Sequence, residues 1–482
     1  TEIYTLSLHD ALPISQIFKP GLEFIVGIIL ARNLAPEYFG IVAIGSVFFG
    51  VAYIISNLGI SNFLVQRNEI NNELVKNCQS ILLITAILLT GLGLYFSKYI
   101  GKYFEEPLSG TVYILFNINF VLSAFSTIPN AILSRNMLFK KISIVEIICT
   151  IAYSMLAILL VYLGYGIWSL VFPSILSSIV SLILLSFYAK YIPRFGLNTV
   201  IFREIIKFGS FITLSSLINY LARNIDYFLI GKFLGVHGLG IYKKSYDLIV
   251  LPKEKISDSI GRVYFSAINK IKNDTQWASS SWLKLNSTIL YLILPVLLGL
   301  SSISYELVTI VYGENWIESV IPIRIMSIGG IFYCMIVPNN LIMIAFGKLK
   351  LYLVFQIIYL TLSIILISAT IKNGIFGVSI AFNILMIILW LSSFYITKNI
   401  IPIKTSSFYE SIKNTLMINF IMISVVFITG YLFSSKSLIF ILISKIIAGF
   451  TIYFILSLTS KDKLIVEIKN NFQSIFRLKF NR

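Results

Sequence analysis

SSLINYLARNIDYFLIGKFLGVHGLGIYKKSYDLIVLPKEKISDSIGR, residues 215–262, is as long as two membrane helices and carries charges inside both of them. Ser216, Asn219, Arg223 and Asp226 follow one another at steps of three, four and three, which puts them on one helix face. A short Gly-rich turn is expected next. Lys243, Lys244, Asp247, Lys253, Glu254, Lys255, Asp258 and Arg262 come after it, with Pro252 among them. Ionisable groups at membrane depth are costly and are kept where they face a bundle interior or a water-filled path. The stretch therefore reads as the polar wall of a transport cavity.

The rest of the chain supplies the membrane. Of 482 residues, 57% are hydrophobic and 12% charged, with a mean hydropathy of +0.89; a soluble domain carries about 25% charged residues. Fourteen apolar segments recur: 16–34, 40–65, 78–97, 111–134, 142–163, 166–189, 205–230, 240–266, 283–303, 319–346, 352–371, 374–397, 414–433 and 437–458. Each is long enough to span a bilayer as a helix. The expected class is an all-α integral membrane protein with about 14 transmembrane helices. The net charge of +17 is explained by cationic cytoplasmic loops and not by a nucleic-acid partner.

The loop charges orient the chain. With the N-terminus in the cytoplasm, the even-numbered connections and the C-terminal tail hold 23 basic residues. The opposite side holds 6: Arg32, Lys98, Lys102, Lys232, Lys372 and Lys436. Such a split places both termini on the cytoplasmic side. The first residues, TEIYTLSLHDALPIS, break the apolar pattern and resemble a translated library adapter. Residues 1–15 are therefore expected to be foreign.

An internal repeat orders the spans. LARNLAPEYFGI at 30–41 aligns with IGKFLGVHGLGI at 230–241, an offset of 200. Pro129-Asn130 aligns with Pro338-Asn339 at 209, and Gly166-Ile167 with Gly374-Ile375 at 208. Each half has six helices, so both enter the membrane the same way. This is a parallel repeat with its substrate site between the halves. The expected organisation is a lobe at 16–190, a cytoplasmic linker at 191–204, a lobe at 205–397, two further helices at 398–460 and a basic tail at 461–482. The halves differ chemically. Lys243, Lys244 and Lys253 correspond to Ala43, Ile44 and Tyr53, and Arg223 corresponds to Glu23.

The segments LARNLAPEYFGIVA (30–43), SNLGISNFLVQR (56–67), RNIDYFLIGKFLGVHGLGIYKKSYDLIVLP (223–252), GRVYFSAINKI (261–271) and YGENW (312–316) carry a family resemblance. The chain resembles bacterial polysaccharide flippases of the multidrug/oligosaccharidyl-lipid/polysaccharide exporter superfamily, of the kind linked to O-antigen, colanic acid and teichuronic acid. The likeness covers roughly residues 16–400. It implies a two-lobed bundle in the bacterial cytoplasmic (inner) membrane that moves an undecaprenyl-diphosphate-linked glycan by alternating access, for lipopolysaccharide or exopolysaccharide. It also implies membrane lipids and polysaccharide assembly proteins as partners. The sequence departs from the pattern at its replaced N-terminus and at Lys244, where many relatives have arginine.

Each candidate residue has a structural and a functional reading. Arg223 and Asp226, three apart, can form a scaffold ion pair, or Arg223 can hold diphosphate through its planar fork while Asp226 orients it. Lys243 and Lys244 either snorkel to the surface or line the cavity, and adjacent helix positions let only one of them do so. Lys253, Lys255 and Arg262 belong either to a solvated helix end or to a basic mouth. Asn219, Glu23 and Arg324 are packing partners or cavity groups. Tyr220, Tyr227, Tyr242 and Tyr246 either pack or stack on sugar rings. The sequence holds no Walker loop, no paired cysteine spacing and no nucleophile with a base, and His237 is expected in a turn, so neither an enzyme nor a cofactor or metal site is expected. A cation-coupled drug exporter of the same superfamily is the alternative, and it would call for an acidic cavity.

Overall fold

The computed structural model describes residues 2–67, 69–271, 274–460 and 466, and it is helical throughout, with no strand among the described residues. Helices satisfy their backbone groups internally, which lipid requires. Among the described residues, eleven stretches are long and apolar enough to cross a membrane, and one of them, Leu349–Ile400, contains two helices joined by a 3-10 turn. The chain is a multi-pass, all-α integral membrane protein. The expected spans 16–34 and 240–266 are not among the eleven. The first lies within a helix running Glu2–Asn33. The second is split into Gly235–Pro252, one wider π turn at Lys253–Ser257, and Asp258–Ile271. The expected tail at 461–482 lies, apart from residue 466, outside the described residues.

The chain divides into two compact units, Thr1–Lys243 and Lys244–Arg482. The first contains α1 (Glu2–Asn33), α2 (Pro36–Asn57), α3 (Ile60–Gln66), α4 (Asn72–Tyr103), α5 (Pro107–Arg135), α6 (Phe139–Tyr162), α7 (Trp168–Ala189) and α8 (Thr199–Phe233), and the division falls within α9 (Gly235–Pro252). Sequence places the junction of the lobes at 191–204. The units part later because α8 packs along α2. Tyr220 on α8 donates to the carbonyls of Ser46 and Val47 at 3.1 and 3.2 Å, and Gly50 leaves the space its ring occupies. The segment before α8 is fastened as well: Tyr191 donates to Gln79 Oε1 at 3.0 Å, and Asn198 Nδ2 to Glu73 at 2.8 Å. Proline at the first position starts α2, and the left-handed pair Leu58-Gly59 ends it. The span expected at 40–65 is therefore two helices meeting at a corner. Ile60, Leu64, Ile81, Leu82 and Phe120 form the dry core beside that corner.

In the second unit α10 (Asp258–Ile271), α11 (Thr275–Leu307) and α14 (Gly374–Ile400) pack around α12 (Val320–Ala345). Trp282 Nε1 donates to Asn339 Oδ1 at 3.1 Å, and Asn339 Nδ2 to Ser393 Oγ at 2.9 Å, so one buried amide ties three helices. Positions paired by the expected repeat share backbone features. Pro129 and Pro338 both sit inside helices, α5 and α12. Gly166 and Gly374, which precede α7 and open α14, both adopt positive φ, 54° and 65°, where side chains are disfavoured. The last hairpin, α15 (Thr405–Leu432) and α16 (Leu438–Thr459), is tied to α11 by an ion pair. Lys445 on α16 meets Glu306 on α11 at 2.6 Å and the Ser302 carbonyl at 3.2 Å, with both side chains buried. Gly430 on α15 makes room for the Lys445 stem.

Candidate functional site

The polar stretch folds into the end of α8, all of α9, the π turn Lys253–Ser257 and the start of α10, with α8 and α9 joined through the single residue Leu234. The expected Gly-rich turn is helical from Gly235, which places His237 in the first turn of α9 and not in a loop. In the first unit, Asp226 is the best-held polar group. Its Oδ2 accepts from the Tyr242 hydroxyl at 2.9 Å and its Oδ1 from the Tyr227 N–H at 2.9 Å. The rings of Tyr227 and Tyr242 meet edge to face at 6.1 Å. The Lys243 ammonium lies 5.7 Å from the centre of the Tyr227 ring, within cation–π range. Arg223, one turn before Asp226 on α8, is exposed, and Asn219 is half-buried on the same helix. Glu23, the repeat counterpart of Arg223, is exposed on α1, within electrostatic reach of Tyr153 on α6.

In the second unit, the Lys244 ammonium lies 4.7 Å from the centre of the Tyr312 ring. Adjacent lysines thus meet different tyrosines, as a rotation of about 100° per helical residue requires. Lys253 is only 5% exposed. It pairs with Asp258 at 2.9 Å and lies over the Tyr333 ring at 5.0 Å. A group so placed is not a solvated helix end. Glu254 and Lys255 are exposed, and Arg262 donates to Ser259 Oγ at 2.9 Å. Arg324 donates to Ser304 Oγ at 2.9 Å.

The tyrosines have structural partners: Tyr220 on the α2 backbone, Tyr242 on Asp226, Tyr227 against Tyr242, and Tyr246 against Phe382 at 5.8 Å. Lys253–Asp258 and Glu37–His237 are among the pairs that sequence reasoning missed. Lys253 and Asp258 are five apart, which in a regular helix reads as different faces. Glu37 and His237 hydrogen-bond at 2.8 Å, and the signal that could have found them was the repeat offset itself.

The sequence profile of a family described as "Polysaccharide biosynthesis protein" matches residues 29–321. An "Uncharacterized membrane protein in cps region" of Klebsiella pneumoniae is 27% identical over 94% of each chain. "Lipopolysaccharide biosynthesis protein WzxC" of Escherichia coli is 26% identical over 83% of this chain and 81% of its own. "Teichuronic acid biosynthesis protein TuaB" of Bacillus subtilis is 26% identical over 76% and 77%. Among solved structures, a lipid II flippase MurJ in an inward closed conformation superposes with a TM-score of 0.74 at 16% identity, over 92% of this chain and 97% of that one. An inward-facing multidrug resistance MATE family transporter of the MOP superfamily superposes with a TM-score of 0.61 at 15% identity, over 79% and 94%. The fold is the one these transporters share.

Proposed function

Because the chain belongs to the polysaccharide biosynthesis protein family, we propose that it is a flippase, moving an undecaprenyl-diphosphate-linked oligosaccharide repeat unit across the bacterial cytoplasmic membrane by alternating access. The carrying observation is the concentration of cations between Arg223 and Lys255, with the ammonium groups of Lys243 and Lys244 set against aromatic rings. A concentration of one sign of charge along the chain favours an anionic cargo such as a diphosphate. A cationic drug would call for carboxylates there. Asp258 matches the charge of Lys253. Asp226 holds Tyr242 in place beside them. The mechanism invokes no catalytic residue and no cofactor.

Proteoliposomes holding the purified protein test the reading. A fluorescent undecaprenyl-diphosphate oligosaccharide should move between leaflets at a rate proportional to protein content, and undecaprenyl phosphate without the sugar should move more slowly. Equal rates with and without protein, or transport of a cationic dye in place of the lipid-linked sugar, would overturn it.

The orientation has its own test. On a background in which the buried Cys78, Cys149 and Cys334 are replaced, Glu314→Cys and Lys436→Cys should react with an impermeant maleimide on intact cells. Lys404→Cys should react only after permeabilisation. All three positions are exposed. Reaction of Lys404→Cys on intact cells would invert the topology.

A further inference from the structure

Two glycines one repeat apart touch each other's helices. A methyl group added to Gly40 on α2 would overlap the carbonyl oxygen of Val236 on α9, and one added to Gly240 on α9 would overlap the carbonyl oxygen of Pro36 on α2. Exchanging each residue with its partner 200 positions away turns the first contact into the second. The same exchange maps Glu37 and His237, which hydrogen-bond at 2.8 Å, onto each other. The seam is therefore pseudo-two-fold in its backbone contacts and in the positions it pairs, with the local axis passing between Glu37 and His237.

Small residues let helix backbones approach this closely in lipid. Val236 packs with Ile41, Val112 and Ile167, so the seam is dry on one flank. The glycine contacts supply the close fit. The Glu37 and His237 side chains are 42% and 43% exposed, and a polar contact that open to solvent adds little strength. Their role is to register the two helix starts against each other. In a parallel repeat the substrate path runs along the axis between the halves. A seam lying on that axis stands in the path.

We propose that residues 36–40 and 236–240 form a gate at the mouth opposite the basic loops, sealed by reciprocal glycine-to-carbonyl contact, with Glu37 and His237 facing each other across the seam. This inference rests on the transport reading above. The cargo passes only when the seam parts, and the contact re-forms behind it.

The test is a reversible lock. Glu37→Cys and His237→Cys are combined on the background without native cysteines, in the full chain in cells. Oxidation, or a short bifunctional maleimide, should join the two thiols, which is read as loss of a polymer-maleimide gel shift. Export of surface polysaccharide should be normal before oxidation, fall at least several-fold after it, and return on reduction. Each single-cysteine variant should export normally under oxidation. Export before oxidation is the control on the flippase reading, and export after it tests the gate. Adding Gly240→Ala should lower the cross-link yield several-fold at equal protein level, because the methyl group holds the helices apart. Failure of the thiols to join, full cross-linking with normal export, a loss that reduction does not reverse, or a yield unchanged by Gly240→Ala would each overturn the gate.

Discussion

Arg223→Ala is expected to abolish most export while leaving the protein at its normal level in the membrane. Losing a hydrogen-bonded charge contact to diphosphate costs about 1.5–3 kcal/mol, roughly a ten- to hundredfold loss at about 1.4 kcal/mol per factor of ten. Protein level should hold because Asp226 does not depend on Arg223 for its hydrogen bonds: the Tyr242 hydroxyl and the Tyr227 N–H supply them. Arg223→Lys should rescue only in part, since an ammonium lacks the bidentate fork. Export by cells carrying each variant, normalised to membrane protein, is the measurement. If Arg223 belongs instead to a scaffold ion pair, Arg223→Ala with Asp226→Ala should restore export, because no unpaired charge stays buried. Full recovery by that double variant would end the cargo-binding role.

Lys445→Met is expected to be the most destabilising single change in the second unit. Removing one partner of a buried ion pair costs about 3–5 kcal/mol, whereas replacing both with apolar groups of similar size is often neutral. The Lys445 and Glu306 side chains are 11% and 8% exposed, so the buried case applies. Thermal unfolding of the detergent-purified protein should show a large drop for Lys445→Met and recovery of most of it on adding Glu306→Leu. A double variant as unstable as the single one would show that Lys445 acts through the Ser302 carbonyl and not through the carboxylate.

The fold class was legible in the sequence because a bilayer imposes length and hydropathy on every span. The family was legible because residues 223–271 are long and distinctive. The helix junctions were not. The corner at Leu58-Gly59 falls inside a stretch apolar enough on average to read as one span, and its left-handed backbone separates α2 from α3. Partners were harder still. The charges of 215–262 suggested one polar wall, but periodicity cannot say that Asp226 is taken by Tyr242 or Lys253 by Asp258. Lys445 and Glu306 lie 139 positions apart, beyond any local pattern.

The wide turn at Lys253–Ser257 fixes which way the rest of its helix faces. In a regular α-helix, residues five apart point about 140° away from each other. The bond from the Asp258 N–H back to the Lys253 carbonyl is the five-residue closure of a π turn, and that closure brings the two side chains within 2.9 Å. The ion pair and the extra residue in the turn are therefore conditions of one another. Without the extra residue, α10 would advance by about 1.5 Å and rotate by about 100°, carrying Arg262 to another side of the helix. The repeat-equivalent place in the first half, 200 positions earlier, holds the fixed corner at Leu58-Gly59. At positions 200 apart the chain thus turns in two ways, once through two left-handed residues and once through a π turn beside which Lys253 and Asp258 pair.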